Sequence, residues 1–222
     1  MASRRGARYK LVGERWISSR FNEKLEAFKH TQQQELEHLK FQINASMDRA
    51  TKLHQREFET LPNSWAKFTK AYHSVLAFVS PVQSYTDVNR MNQHELNEHL
   101  AHTAFSQSDK DLVRAECDPK RREHIYRDLM YRYRCSEVQS ICVEHNVDLD
   151  ANGIFMLPEM ESKFKNLSML VWDALSEHKM NYQHELIPRE RNKYEALDKQ
   201  GPGLINELKD AVRERLWSGV SA

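Results

Sequence analysis

The stretch "ISSRFNEKLEAFKHTQQQELEHLKFQINASMDRA", residues 17–50, places apolar side chains at Ile17, Phe21, Leu25, Phe28, Leu36, Leu39, Ile43, Met47 and Ala50, with Gln32 as the polar interruption. Its steps of 4, 4 and 3 make an eleven-residue period. At about 3.67 residues per turn, that period keeps one apolar stripe along a nearly straight helix, so the segment reads as a long amphipathic helix of coiled-coil type. Phe58, Leu61, Trp65, Tyr72 and Leu76 carry the phase past Pro62. Proline lacks the N–H that a helix interior needs, so a kink or a restart is expected there, without reversal of the chain.

Working outward, "VSPVQSYTD", residues 79–87, is the first break, and a helical region is expected from about Asn89 to Ala115. Asp118 and Pro119 supply an N-cap and a first-turn proline for the next helix. On its wheel Ile125, Tyr126, Leu129, Met130 and Tyr133 form the inward stripe, bordered by Lys120, Arg121, Arg127, Arg132 and Arg134. After residue 159 the eleven-residue spacing returns, through Phe164, Leu175, Leu186 and Leu197 in one register and Met160, Val171 and Tyr182 in another. Segments that share a period can pack side by side. Leu204, Leu208, Val212 and Leu216 mark a last amphipathic helix.

No segment shows the strict alternation of a strand, so the expected class is all-α. A continuous helix over residues 14–79 would run about 100 Å, against a radius of gyration near ~17 Å for a compact domain of this length, which predicts an elongated architecture of long helices. The expected division is a basic arm over 1–16, a long amphipathic segment over 17–80 kinked at Pro62, a helical connector over 81–118, and a C-terminal helical region over 119–218.

Composition agrees. The chain is 40% hydrophobic and 29% charged, with six glycines and six prolines, which suits long helices with few turns and a thin core. The net charge of +1 conceals a +5 excess within residues 1–24. Such an arm suits an anionic membrane or phosphates, although basic termini are commonly just solvated. Cys117, Cys135 and Cys142 are odd in number and lack zinc-site spacing, which fits reduced thiols in an intracellular compartment. No apolar run approaches the length of a membrane span, and no secretory leader is expected. The Arg-rich opening also has the composition of a mitochondrial presequence, so cytoplasmic, cytoskeletal and mitochondrial placements stay open.

Residues 148–159, "DLDANGIFMLPE", match D-x-[DN]-x-[DN]-G-x5-E at every specified position: Asp148, Asp150, Asn152, Gly153 and Glu159. The stretch resembles the loop of the EF-hand calcium-binding family. That resemblance implies a helix-loop-helix in the C-terminal half and calcium as ligand, held by side-chain oxygens of Asp148, Asp150 and Asn152, the Ile154 carbonyl and both oxygens of Glu159. Met156 departs from the pattern, standing where a polar residue often holds a water. The alternative is a polar turn closed by an ordinary helix start at Pro158. "DKQGPGLINELK", residues 198–209, resembles a damaged second loop, with Gln200, Pro202 and Lys209 where ligands belong; a plain Gly-Pro-Gly turn is the other reading.

"HELNEHLAH", residues 94–102, sets His94 and His99 five apart, the wrong spacing for a zinc protease, and Glu35 with His38 lacks the second copy a di-iron bundle needs. No phosphate-binding glycine loop or nucleophile motif is present, so no enzyme is expected. Trp16, Trp65, Trp172 and Trp217 are too scattered for a nucleic-acid stacking platform. The expected function is a non-enzymatic, EF-hand-like helical protein, a calcium-responsive or structural subunit of a cytoskeletal or membrane-associated assembly, meeting protein partners through amphipathic helices. The alternative resembles, in architecture only, the BAR domain: a curved helical dimer on anionic membranes.

Overall fold

The computed structural model describes residues 3–185 and 188–217, with side chains from residue 20 onward. The described residues form six α-helices and two 3-10 turns, with no strand among them. The chain is all-α. The helices are α1 (Ser3–Val79), α2 (Gln93–Ala101), α3 (Gln107–Ala115), α4 (Pro119–Asn152), α5 (Pro158–Gln183) and α6 (Asn192–Trp217). They fall into two units, Met1–Gln55 and Arg56–Ala222.

The first unit is helical from Ser3, so a boundary at residue 16 has no counterpart in the backbone. Side chains of the basic arm over 1–16 lie outside the described residues. From residue 20 to residue 55 nearly every side chain is exposed. Exposed polar pairs one turn apart support the helix: Lys29 Nζ to Glu26 at 3.0 Å, Gln33 to Glu37 at 2.9 Å and Lys52 to Asp48 at 2.7 Å. Each such pair contributes only about 0.2–0.5 kcal/mol.

In the second unit, residues 56–79 of α1 join α4, α5 and α6 around one core. Along α1, Glu57, Leu61, Ser64, Phe68, Ala71, Val75 and Phe78 are buried at a 4,3 step, with Thr60, Tyr72 and Val79 buried beside them. On α4 the same step runs through the buried Tyr131, Cys135, Val138, Cys142, His145 and Leu149, and on α5 through the buried Met160, Phe164, Leu167, Val171 and Ala174. This is the seven-residue step of bundle packing rather than the expected eleven-residue one. The two steps share several positions, because 4+4+3 and 4+3 start alike, and so Met160, Phe164 and Val171 satisfy both, while Leu175 is buried beside Ala174. Leu186, a member of the expected register, lies outside the described residues.

Side-chain pairs fix the helix directions. Lys67 meets Asp148 and Phe78 meets Tyr131, so α1 and α4 run antiparallel. Phe68 meets Phe164 and Phe78 meets His178, so α1 and α5 run parallel. Glu57 meets Arg215 and Tyr72 meets Gly201, which sets α6 antiparallel to α1. The result is an up-down-up-down four-helix bundle in which α2 and α3 occupy the first crossover.

The expected helical connector is built from three short pieces. A 3-10 turn at Val88–Arg90 leads to α2, capped by an Asn92–Glu95 capping box, and Ser106 caps α3. Both helices fold onto the start of α4, where Val88, Leu96, Leu100, Phe105, Val113, Tyr126 and Leu129 build a second small core, with Ile125, Met130 and Tyr133 packed against it. Asp118 caps α4 by accepting from the Arg121 N–H at 2.9 Å.

Neither of the two internal prolines ends its helix. Pro62 lies inside α1, which neither ends nor restarts there. Leu61 and Ser64, both fully buried, flank it, and tertiary packing of this kind outweighs the roughly 3 kcal/mol that a mid-helix proline costs. Residues 198–209 are likewise not a loop: α6 runs unbroken through Gly201, Pro202 and Gly203. Gly201 is buried against the Tyr72 ring, and Leu197, Leu208 and Val212 anchor the helix on both sides.

Candidate functional site

Residues 148–159 do not form a twelve-residue loop. α4 continues through Asn152, a 3-10 turn covers Gly153–Phe155, and α5 begins at Pro158. Asp148 and Asp150 therefore sit about 200° apart around a helix, so their carboxylates leave from opposite sides. Asp148 is buried, whereas Asp150, Ile154 and Glu159 are exposed. Gly153 has φ −56, a helical value rather than a sharp bend.

The Asp148 carboxylate is already occupied. It accepts from Ser64 Oγ at 2.7 Å, Lys67 Nζ at 2.9 Å, Asn63 Nδ2 at 3.2 Å and Asn152 Nδ2 at 3.1 Å. Burial alone would push its pKa up, but the hydrogen bonds from Lys67 and Ser64 outweigh that and hold it below the ordinary carboxylate value. The same contact raises the Lys67 pKa. Three residues on one face of α1 thus serve as a docking cradle for α4. Of the five expected ligands, only Asp148 and Asn152 are brought together, and they are one helical turn apart.

These residues do not fit a calcium site in this arrangement. A hard cation needs six to eight converging oxygens, and here one carboxylate is neutralised by a lysine while another faces the opposite way. Among the described residues no group of three or more His, Cys, Asp or Glu side chains is placed to hold a metal.

Next to this cradle lies a polar pair, a buried His145 and a half-buried Ser168, that no motif announced. His145 Nε2 and Ser168 Oγ share a hydrogen bond of 2.7 Å, and Ser168 donates to the Phe164 carbonyl at 2.8 Å. The other imidazole nitrogen, Nδ1, is buried without a partner, so no carboxylate completes a catalytic triad. Burial pushes the His145 pKa down, with Asp148 opposing and Lys67 reinforcing that shift.

The exposed stripe of the first unit is the feature that a folded chain does not need for its own core. Phe21, Leu25, Phe28, Leu36, Leu39, Ile43 and Met47 are all exposed along one line, Phe28 at 62% and Met47 at 63%, while the exposed Phe41 and Leu53 lie off it. Beside them stand Glu23, Glu26, Glu35, Glu37 and Asp48 together with Lys24, Lys29, Lys40, Arg49 and Lys52. An apolar strip rimmed by both signs is the composition of a coiled-coil seam. On α4, by contrast, the cationic border is largely engaged, with Arg127 paired to Glu123 and lying over Tyr85, and Arg134 bonded to Gln83.

Comparison with protein-family models, with curated proteins and with solved structures finds no match. Among the described residues no helix is long and apolar enough to cross a membrane.

Proposed function

We propose that this protein is a non-enzymatic structural subunit of a larger assembly, which lays the apolar stripe of residues 20–55 against a helix of a partner protein. The single observation that carries this reading is the run of exposed large apolar side chains at helical spacing from Phe21 to Met47. Each such side chain, once fully covered, contributes about 1.5–3 kcal/mol. The mixed-sign rim favours a protein helix over an anionic lipid surface, which would call for a cationic face throughout. Calcium has no part in the reading, because Asp148 already serves the contact between α1 and α4.

The test is a photo-crosslinker placed at Leu39, in the stripe, and separately at Gln34, on the opposite side of the helix, in cells that make the protein. Adducts from Leu39 to one helical segment, absent from Gln34 and lost when Leu36→Glu and Ile43→Glu are added, are expected. Equal labelling from both positions, or none, would contradict the proposal. An adduct to a second copy of this chain would identify the partner helix as its own.

A further inference from the structure

The apolar stripe of α1 between Phe21 and Ala50 is about 45 Å long at about 1.5 Å per residue, which exceeds the roughly three to four heptads that sustain a coiled coil. Its centre and its two borders indicate what covers it.

Gln32 is the polar residue on the line of the stripe, between Phe28 and Leu36. It is exposed, and its amide reaches only Glu35, at 3.4 Å. Under an apolar surface that amide would lose its water and gain no partner, which is unfavourable. Opposite the same position of a second helix, the amide N–H of one copy donates to the amide oxygen of the other. A polar residue at one seam position fixes the register of a parallel pair in this way.

The charges on the borders point to the same arrangement. At about 3.67 residues per turn, Lys29 and Lys40 leave the helix about 65° to one side of the stripe, and Lys24 and Glu35 about 65° to the other. In a parallel, in-register pair, one border of each helix faces the opposite border of its mate, and flanking contacts run from a residue to the position five further on. Glu35 then meets Lys40 of the second copy, with Lys29 of that copy six positions back, and the twofold axis makes each contact twice. Lys24 against Lys29 is a like-charge contact, but Lys29 already holds Glu26 at 3.0 Å. Antiparallel packing sets like borders together, so Lys29 and Lys40 would face the same two lysines of the other copy. In the antiparallel register that overlaps the stripe most fully, with Leu36 opposite Leu39, Glu35 would also face Glu35 and Gln32 would face Ile43.

We infer that residues 20–55 pair with the same segment of a second copy of this chain as a parallel, in-register coiled coil, seamed by Gln32 against Gln32 and bordered by Glu35 against Lys40. This rests on the reading of the stripe as a docking face and names its occupant.

Single cysteines on the midline of the stripe, Phe21→Cys and Ile43→Cys, each in the full chain with the exposed Cys117 replaced by serine, test the pairing. Air oxidation of either variant alone should give a self-linked dimer. A mixture of the two should give no bond between positions 21 and 43, which lie about 33 Å apart along the helix. The wild-type full chain should sediment with a two-chain mass at micromolar concentration. Glu35→Lys should weaken the dimer about tenfold or more, and adding Lys29→Glu and Lys40→Glu should restore it. All these positions are exposed, so the fold of the single chain does not depend on them. A single-chain mass, a 21–43 bond in place of the self-linked species, or an undiminished dimer in Glu35→Lys would each overturn the inference. A single-chain mass together with Leu39 photo-adducts to a different protein would overturn the second copy alone and leave the docking face standing, whereas a single-chain mass with no Leu39 adduct would remove both.

Discussion

Replacing Gly201 and Gly203 by alanine, one at a time, tests whether α6 is continuous through its Gly-Pro-Gly run. In an exposed helix interior, Gly→Ala gains up to about 1 kcal/mol, because glycine loses more backbone freedom on folding. At Gly203 an alanine β-carbon would meet nothing within 4 Å, so Gly203→Ala should stabilise by about that amount. At Gly201 the added carbon would lie 2.7 Å from Tyr72 Oη and 3.0 Å from its Cε2, closer than any relaxed contact. Gly201 also precedes Pro202, and a β-carbon there clashes with the proline ring in helical geometry. Overpacking of this kind costs about 1–3 kcal/mol, so Gly201→Ala should be neutral to ~2 kcal/mol destabilising despite the propensity gain. Urea unfolding at a fixed m value resolves a difference of that size. Equal stabilisation by both substitutions would refute the packing of Gly201 on Tyr72. Destabilisation at Gly203 would refute the continuous helix, since a turn would hold that glycine at positive φ.

Asp148→Ala should cost about 1–3 kcal/mol in urea unfolding, as Ser64 and Lys67 lose their shared acceptor; the partial exposure of Lys67 keeps the loss below the ~3–5 kcal/mol typical of a fully buried pair. His145 and His178 have folded pKa values pushed below the ordinary histidine value by burial, so the unfolded chain takes up protons first as pH falls. Stability should therefore be highest above about pH 6.5 and decline below it toward the folded pKa values, by up to about 1.4 kcal/mol per pH unit for each histidine. Denaturation midpoints at pH 7.5 and 5.5 check this, and His145→Asn should flatten the slope. Phe164→Ala, emptying a fully buried site between α1 and α5, should cost about 3–5 kcal/mol by the same assay.

Helical class was legible from the sequence because periodicity needs no partner to be read, and the Asp118–Pro119 helix start is a purely local signal. The period itself was harder to read. Exposed and buried apolar residues look alike in a chain, so Phe58, half exposed, took the place of buried Ser64 and Phe68 in the inferred α1 stripe. The acidic motif misled for a specific reason. Aspartate and asparagine at 148 and 152 are one helical turn apart, a spacing that serves an intrahelical contact as well as a loop. A countersignal was available: Cys142, His145 and Leu149 carry the 4,3 step of buried positions into the motif, and nothing before Gly153 stops a helix. Asn63, Ser64 and Lys67 formed a polar patch on an apolar face, but what they hold lies some eighty positions away in the chain, beyond the reach of local pattern. The Gly-Pro-Gly run misled similarly, since only the nearness of Tyr72 shows why a glycine sits within a helix.

The most direct test is a double-mutant cycle between Lys67→Met and Asp148→Asn, read by urea unfolding in metal-free buffer and again with millimolar calcium. A favourable coupling energy of about 1–3 kcal/mol, the same in both buffers, with no stabilisation of the wild-type chain by calcium, is the predicted result. Absent coupling, joined by a calcium-dependent rise in stability that Asp148→Asn and Glu159→Gln each remove, would contradict it.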